Sequence, residues 1–180
     1  PEKGRFRDYL KAILSRMVID WHREQQRDRS KRHEITPGTD LEPVQKDDDA
    51  TPDSEFQKVW TEELMNQAWR GLEEIEKAKG QPYHSLLLYK AQNPQVRSEA
   101  MAQQFTAKLG RPISADNVRK LLQRGQELLS DLLIAEVARS LRETDEEKVS
   151  VDRIEAELIE LKLLDTHRKK ALERYQENRA

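Results

Sequence analysis

The chain has no cysteine, which excludes a disulfide framework and any thiolate zinc site and is compatible with a cytoplasmic protein. Aromatic residues are scarce at 6%, and the hydrophobic set, at 36%, is outweighed by 37% charged residues. So lean an apolar complement belongs to extended helical proteins with much solvated surface. Only six glycines and few β-branched runs leave nothing that argues for a sheet. No apolar run approaches the roughly 20 residues of a membrane span, and no signal peptide is visible. No membrane partner is therefore expected.

Catalytic signatures are missing as well. The four histidines (His22, His33, His84, His167) are scattered, and none forms a metal-ligand pair. There is no glycine-rich phosphate loop and no nucleophile elbow. Asp47, Asp48 and Asp49 stand in a stretch rich in proline and threonine, where a solvated charge run is the simple reading. The expectation is a non-enzyme with no catalytic residue, no metal site and no cofactor.

What is present is a charge pattern. The net charge of −2 conceals strong segregation. Residues 1–34 hold ten Lys and Arg against six Asp and Glu. Residues 35–55 hold one lysine against seven acids, with three prolines and one glycine. Residues 97–124 hold six basic residues against two acids. Basic, acidic, basic is the pattern of two DNA-facing modules joined by an acidic connector.

Helical periodicity fills the rest. Phe6, Tyr9, Leu10, Ile13, Leu14, Met17 and Trp21 recur at helical spacing and predict a helix over about 6–29. Residues 35–53 carry no apolar period and predict a flexible linker. Asp53 or Ser54 should cap a long helix with the stripe Phe56, Trp60, Leu64, Ala68 and Leu72, flanked by Val59 and Trp69 and ending near Gly80. Pro82 should open a helix whose buried strip is Tyr83, Leu86, Leu87, Leu88 and Tyr89, and Asn93-Pro94 should stop it. Core packing is the default reading of Trp60 and Trp69.

The most informative segment is 98–133. A helix capped by Ser98, with Met101, Phe105 and Leu109 inward, should end at Gly110. After a turn holding Pro112, a second helix should open at Ser114 and carry Val118, Leu121, Leu122, Leu128, Leu129, Leu132 and Leu133 on one side. It should run unbroken to Arg142. Its first turns expose Asn117, Arg119, Lys120, Gln123 and Arg124. That layout is a helix-turn-helix, whose second helix can offer amide and guanidinium groups to base edges and phosphates in the major groove. A polar break follows at 143–150, then a helix with Ile154, Leu158, Leu161 and Leu164, and a tail from His167 read as a fraying helical end.

Two stretches resemble one family. FRDYLKAILSRMVIDWHREQQR, through Phe6, Arg7, Tyr9, Leu10, Ile13, Asp20, Trp21 and Arg23, is similar to the end of region two of bacterial extracytoplasmic-function sigma factors. Ala102, Leu109-Gly110, Ser114, Val118-Arg119, Leu121-Leu122, Arg124 and Leu128 to Leu133 look like their region four. Together the matches cover about half of the chain, in the family's order, with the acidic linker between them. Arg16 stands where the family often has Asn, and Arg111-Pro112 lengthens the turn. The first helices of region two have no counterpart here, and the chain opens on Pro1, so an N-terminally truncated factor is expected.

The resemblance implies an all-α chain: part of sigma region two over 1–34, an acidic linker over 35–53, a region-four-like helix-turn-helix domain over 54–142, and a C-terminal helical extension over 143–180. It implies promoter recognition in transcription initiation, with promoter DNA and core RNA polymerase as partners, an anti-sigma factor as a further partner class, and a cytoplasmic location. Ser114, Asn117, Arg119, Lys120, Gln123 and Arg124 would face the upstream promoter element. Arg16, Trp21, Arg23 and Arg27 would face the downstream one. Two rival readings are a stand-alone helix-turn-helix regulator, which predicts a dimer on palindromic half-sites, and a helical protein-interaction module that binds no DNA.

Overall fold

The computed structural model describes residues 9, 10, 12, 13, 16, 17, 52–142 and 149–178. All regular structure among them is α-helical: α1 (Pro52–Lys79), α2 (Tyr83–Gln92), α3 (Ser98–Leu109), α4 (Ala115–Ser140), α5 (Val151–Glu160) and α6 (Thr166–Glu177). The chain divides into two units, Pro1–Thr61 and Glu62–Ala180. In the first, residues 9, 10, 12, 13, 16 and 17 are helical, with Tyr9 and Met17 exposed and Leu10 and Ile13 half-buried. The rest of the helix expected over 6–29, and the linker before Pro52, lie outside the described residues.

α1 begins at Pro52, slightly ahead of the expected cap. Proline suits a first helical turn, because its missing N–H would have no intrahelical partner there. Leu64, Ala68 and Leu72 are buried at intervals of four, as the stripe predicts, but Val59 is exposed. α1 approaches α4 closely at Gly71, where an added Cβ would stand 2.9 Å from Leu132 Cδ2. Gly80, at φ 63°, ends α1, its N–H bonded to the Glu76 carbonyl at 2.8 Å.

The start of α2 departs from local rules. Pro82 precedes it and offers no side-chain cap. Glu76 of α1 supplies one instead, accepting from Ser85 N–H at 2.9 Å and Ser85 Oγ–H at 2.6 Å. A carboxylate at a helix N-terminus also favours the dipole. Leu86 and Leu87 are buried, whereas Leu88, expected within the strip, is exposed.

α2, α3 and the first half of α4 enclose a core of Leu86, Met101, Ala102, Phe105, Val118 and Leu121, with Tyr83, Tyr89, Val96, Leu109, Ile113 and Leu122 packed around it. Tyr89 meets Phe105 edge-on at 5.8 Å. Gly125 is buried where α2 crosses α4: a Cβ there would meet Leu87 Cδ1 at 3.0 Å and the Tyr83 carbonyl oxygen at 3.4 Å.

The second half of α4 is covered by α5 and α6. Leu133, Ile134, Val137, Ala138 and Leu141 are buried, together with Val149, Ile154, Leu158, Leu161, Ala171 and Leu172. The burial along α4 therefore wraps around the helix and is not confined to the predicted stripe: Leu122, Leu128, Leu129 and Leu132 are half-buried, while Gly125 and Ser130 are buried. A helix with neighbours on several sides cannot keep one apolar face.

The tail is not a frayed end. α6 starts from an Asp165 cap, which accepts from Arg168 N–H at 2.9 Å, and Arg174 reaches across to Asp131 of α4, with Nε at 3.1 Å from Oδ1. Its mean polarity hides the two residues that dock it, Ala171 and Leu172.

Candidate nucleic-acid interface

The sequence of α3 and α4 builds the motif locally. α3 starts at Ser98, with Arg97 in extended conformation before it, so Ser98 is the first helical residue and not the expected cap. Gly110 closes α3 in the left-handed region at φ 64°, a conformation glycine adopts without penalty. Between Gly110 and α4, Ile113 N–H donates to Thr106 Oγ1 at 3.0 Å and fastens the turn to α3. Arg111, part of the longer turn, donates to the Gly80 carbonyl at 3.3 Å. Ser114 is the N-cap of α4, its Oγ accepting from Asn117 N–H at 3.1 Å. Phe105 and Val118 lock the two helices together from beneath.

Six of the ten predicted site residues are brought together here. Ser114, Asn117, Arg119, Lys120, Gln123 and Arg124 are all exposed on the first three turns of α4. Arg16 is exposed in a helical stretch of the other unit. Trp21, Arg23 and Arg27 lie outside the described residues.

The electrostatics differ from what charge counting implies. Arg119 lies 3.6 Å from Glu99 of α3 and 3.7 Å from Asp116. Lys120 pairs with Asp116 at 2.9 Å, and Arg124 with Glu127 at 2.8 Å. Gln123 Nε2 donates to Glu127 at 3.3 Å. Each of the three cations on the face thus has an acid beside it. The hydrogen bond and charge of Lys120, with Arg119 adding, hold the Asp116 carboxyl below its ordinary value. Arg124 does the same for Glu127, opposed by slight burial and assisted by Gln123.

Glu127 stands just past the basic 97–124 segment. Its spacing of three from Arg124 and four from Gln123 was a readable signal. Glu99 belongs to the neighbouring helix, and only the fold brings it to Arg119. The pairs are loose and solvated: the side chains of Arg119, Lys120 and Arg124 are 56%, 75% and 55% exposed. Such exposed, solvent-screened pairs contribute little to stability, so an incoming phosphate can displace an acid at small cost.

A cleft of about 170 Å³ lies where α6 begins against α4, lined by Gln126, Leu129, Ser130, Leu133, Asp165, His167 and Arg168. Arg168 is already held by Asp165 at 3.1 Å and by the Leu163 carbonyl, and Ser130 Oγ donates to Gln126 O at 2.8 Å. Among the described residues no helix is long and apolar enough to cross a membrane.

Comparison of the chain with protein-family models, with curated proteins and with solved structures finds no match. What stands is an all-α protein in which α3, a turn opened by Gly110 and the Ser114-capped α4 follow one another.

Proposed function

We propose that this chain binds DNA through the first three turns of α4 and acts in transcription initiation as a sigma-type promoter-recognition subunit. The observation that carries the DNA reading is the outward face of α4, where Asn117, Arg119, Lys120, Gln123 and Arg124 stand exposed behind a Ser114-capped, Gly110-terminated turn. Arg and Gln match guanine and adenine edges, and lysine serves phosphates. The sigma reading rests on the likeness of the 6–23 and 102–133 segments to that family. It adds promoter DNA and core RNA polymerase as partners, an anti-sigma factor as a regulator, and the cytoplasm as the place of action. The chemistry of RNA synthesis would belong to the polymerase.

One observation favours the rival interaction module: Glu99, Asp116 and Glu127 neutralise the cations that a DNA face needs. Fluorescence anisotropy with labelled duplex decides between them. The proposal expects binding whose log K falls with log salt at a slope of about −3 to −4, as contact with a few phosphates requires. Arg119→Ala and Arg124→Ala should each weaken it by about 1–3 kcal/mol at a base contact, less at a phosphate. A salt titration without slope would leave the interaction module standing.

A further inference from the structure

The cations on α4 are compensated; those at the junction of α5 and α6 are not. Lys162, His167, Lys169 and Lys170 are all exposed, and none makes an ion pair among the described residues. The two arginines of this segment are occupied, Arg168 by Asp165 and Arg174 by Asp131. Of the acids, Asp165 is engaged as cap and partner of Arg168, Glu160 is exposed at the end of α5, and Glu173 is exposed in the second turn of α6. Elsewhere in this unit Lys90 and Arg111 are held on backbone carbonyls and Lys108 lies over the Phe105 ring.

The backbone opposes this placement. α5 ends with Leu163 N–H bonded to the Leu158 carbonyl at 2.8 Å and Lys162 N–H to the Ile159 carbonyl at 3.0 Å. That is the helix ending whose left-handed residue is usually glycine, yet Lys162 occupies it at φ 56°. Lys169 and Lys170 lie near the N-terminal end of α6, where cations oppose the helix dipole and the Asp165 cap is the acid set against it. Folding alone would favour glycine at 162 and no lysine pair near the start of α6.

We infer that Lys162, Lys169 and Lys170 form a second DNA-contacting surface that holds the phosphate backbone while α4 reads base edges. A duplex is the polyanion these observations favour, because the patch lies in the same folded unit as the α4 face and supplies the uncompensated charge that face lacks. Lysine, a point charge without planar directionality, suits a phosphate more than a base. The inference rests on the DNA-binding reading.

The test uses the full chain with a labelled random-sequence duplex and compares K162G/K169Q/K170Q with R119Q/R124Q. The first variant removes charge while relieving the left-handed position, so loss of fold is not the expected confounder; circular dichroism checks it. It should bind all duplexes more weakly, with the log–log salt slope shallower by about 2–3. An unchanged slope in K162G/K169Q/K170Q, with wild-type binding intact, overturns this inference and leaves the α4 reading standing. Loss of binding in that variant with none in R119Q/R124Q supports the patch as the phosphate-contacting surface. Labelled polyglutamate bound as tightly as the duplex would assign the patch to acidic polypeptides and overturn the inference. Absence of any wild-type DNA binding at low salt would overturn both.

Discussion

The first half of α4 (residues 115–125) and its second half (126–140) share one backbone but differ in how they are used. The first half is packed from one side by α2 and α3 and keeps its polar side chains outward, each cation balanced by an acid. The second half is wrapped by α5 and α6 and exposes little. Gly125 sits at the crossing between them. The contrast teaches that an exposed polar face and its foundation can be one element: burial of the distal turns fixes the helix, and the proximal turns keep their polar side chains outward.

Breaking either foundation should produce the largest effect. Phe105→Ala below the first half should cost about 3–5 kcal/mol, and Leu172→Ala below the second half about 2–5 kcal/mol. Both side chains are almost fully buried. Because both cores hang on α4, each variant should melt in a single transition at lower temperature. Two separate transitions by calorimetry would mean the halves fold independently.

Gly125→Val addresses the crossing itself. Valine would gain helix propensity, yet a Cβ already meets Leu87 at 3.0 Å and backbone at 3.4 Å, so further methyls must push α2 away. The expected net cost is about 1–3 kcal/mol, with weakened DNA binding as the turn shifts. Chemical denaturation measures it.

Lys162→Gly should act in the opposite direction. Removing the side chain from a left-handed position should raise stability by about 1 kcal/mol, seen as a higher melting temperature. A fall would mean that the lysine makes a stabilising contact.

The smallest effect concerns the charge balance. The depressed Asp116 carboxyl contributes stability that is present above its ordinary value and lost as pH falls through its lowered one. Lys120→Ala should return Asp116 upward toward the ordinary value, followed by NMR titration of the carboxyl carbon. An unmoved midpoint would remove Lys120 as the cause.

Much of this architecture was legible in the sequence because it is local. Gly110, the Ser114 cap and the Met101, Phe105 and Val118 spacing are set by neighbours along the chain, and the helix-turn-helix follows from them. What was not legible depends on distant partners. Glu76 caps α2 from nine residues away, Glu99 reaches Arg119 from another helix, and Ala171 and Leu172 dock α6 despite its polar composition. The basic excess near α4 is matched by acids in space, which its linear charge pattern does not show.

On the proposed function, the outward face of α4 meets DNA against the competition of its own acids. The most direct measurement is duplex affinity of a Glu99→Gln/Asp116→Asn/Glu127→Gln variant, by anisotropy, with its helical fold checked by circular dichroism. Removing like charge from a face that approaches phosphates should tighten binding on the order of tenfold. Unchanged or weaker binding by a folded variant would contradict the claim and place DNA, if bound at all, elsewhere on the molecule.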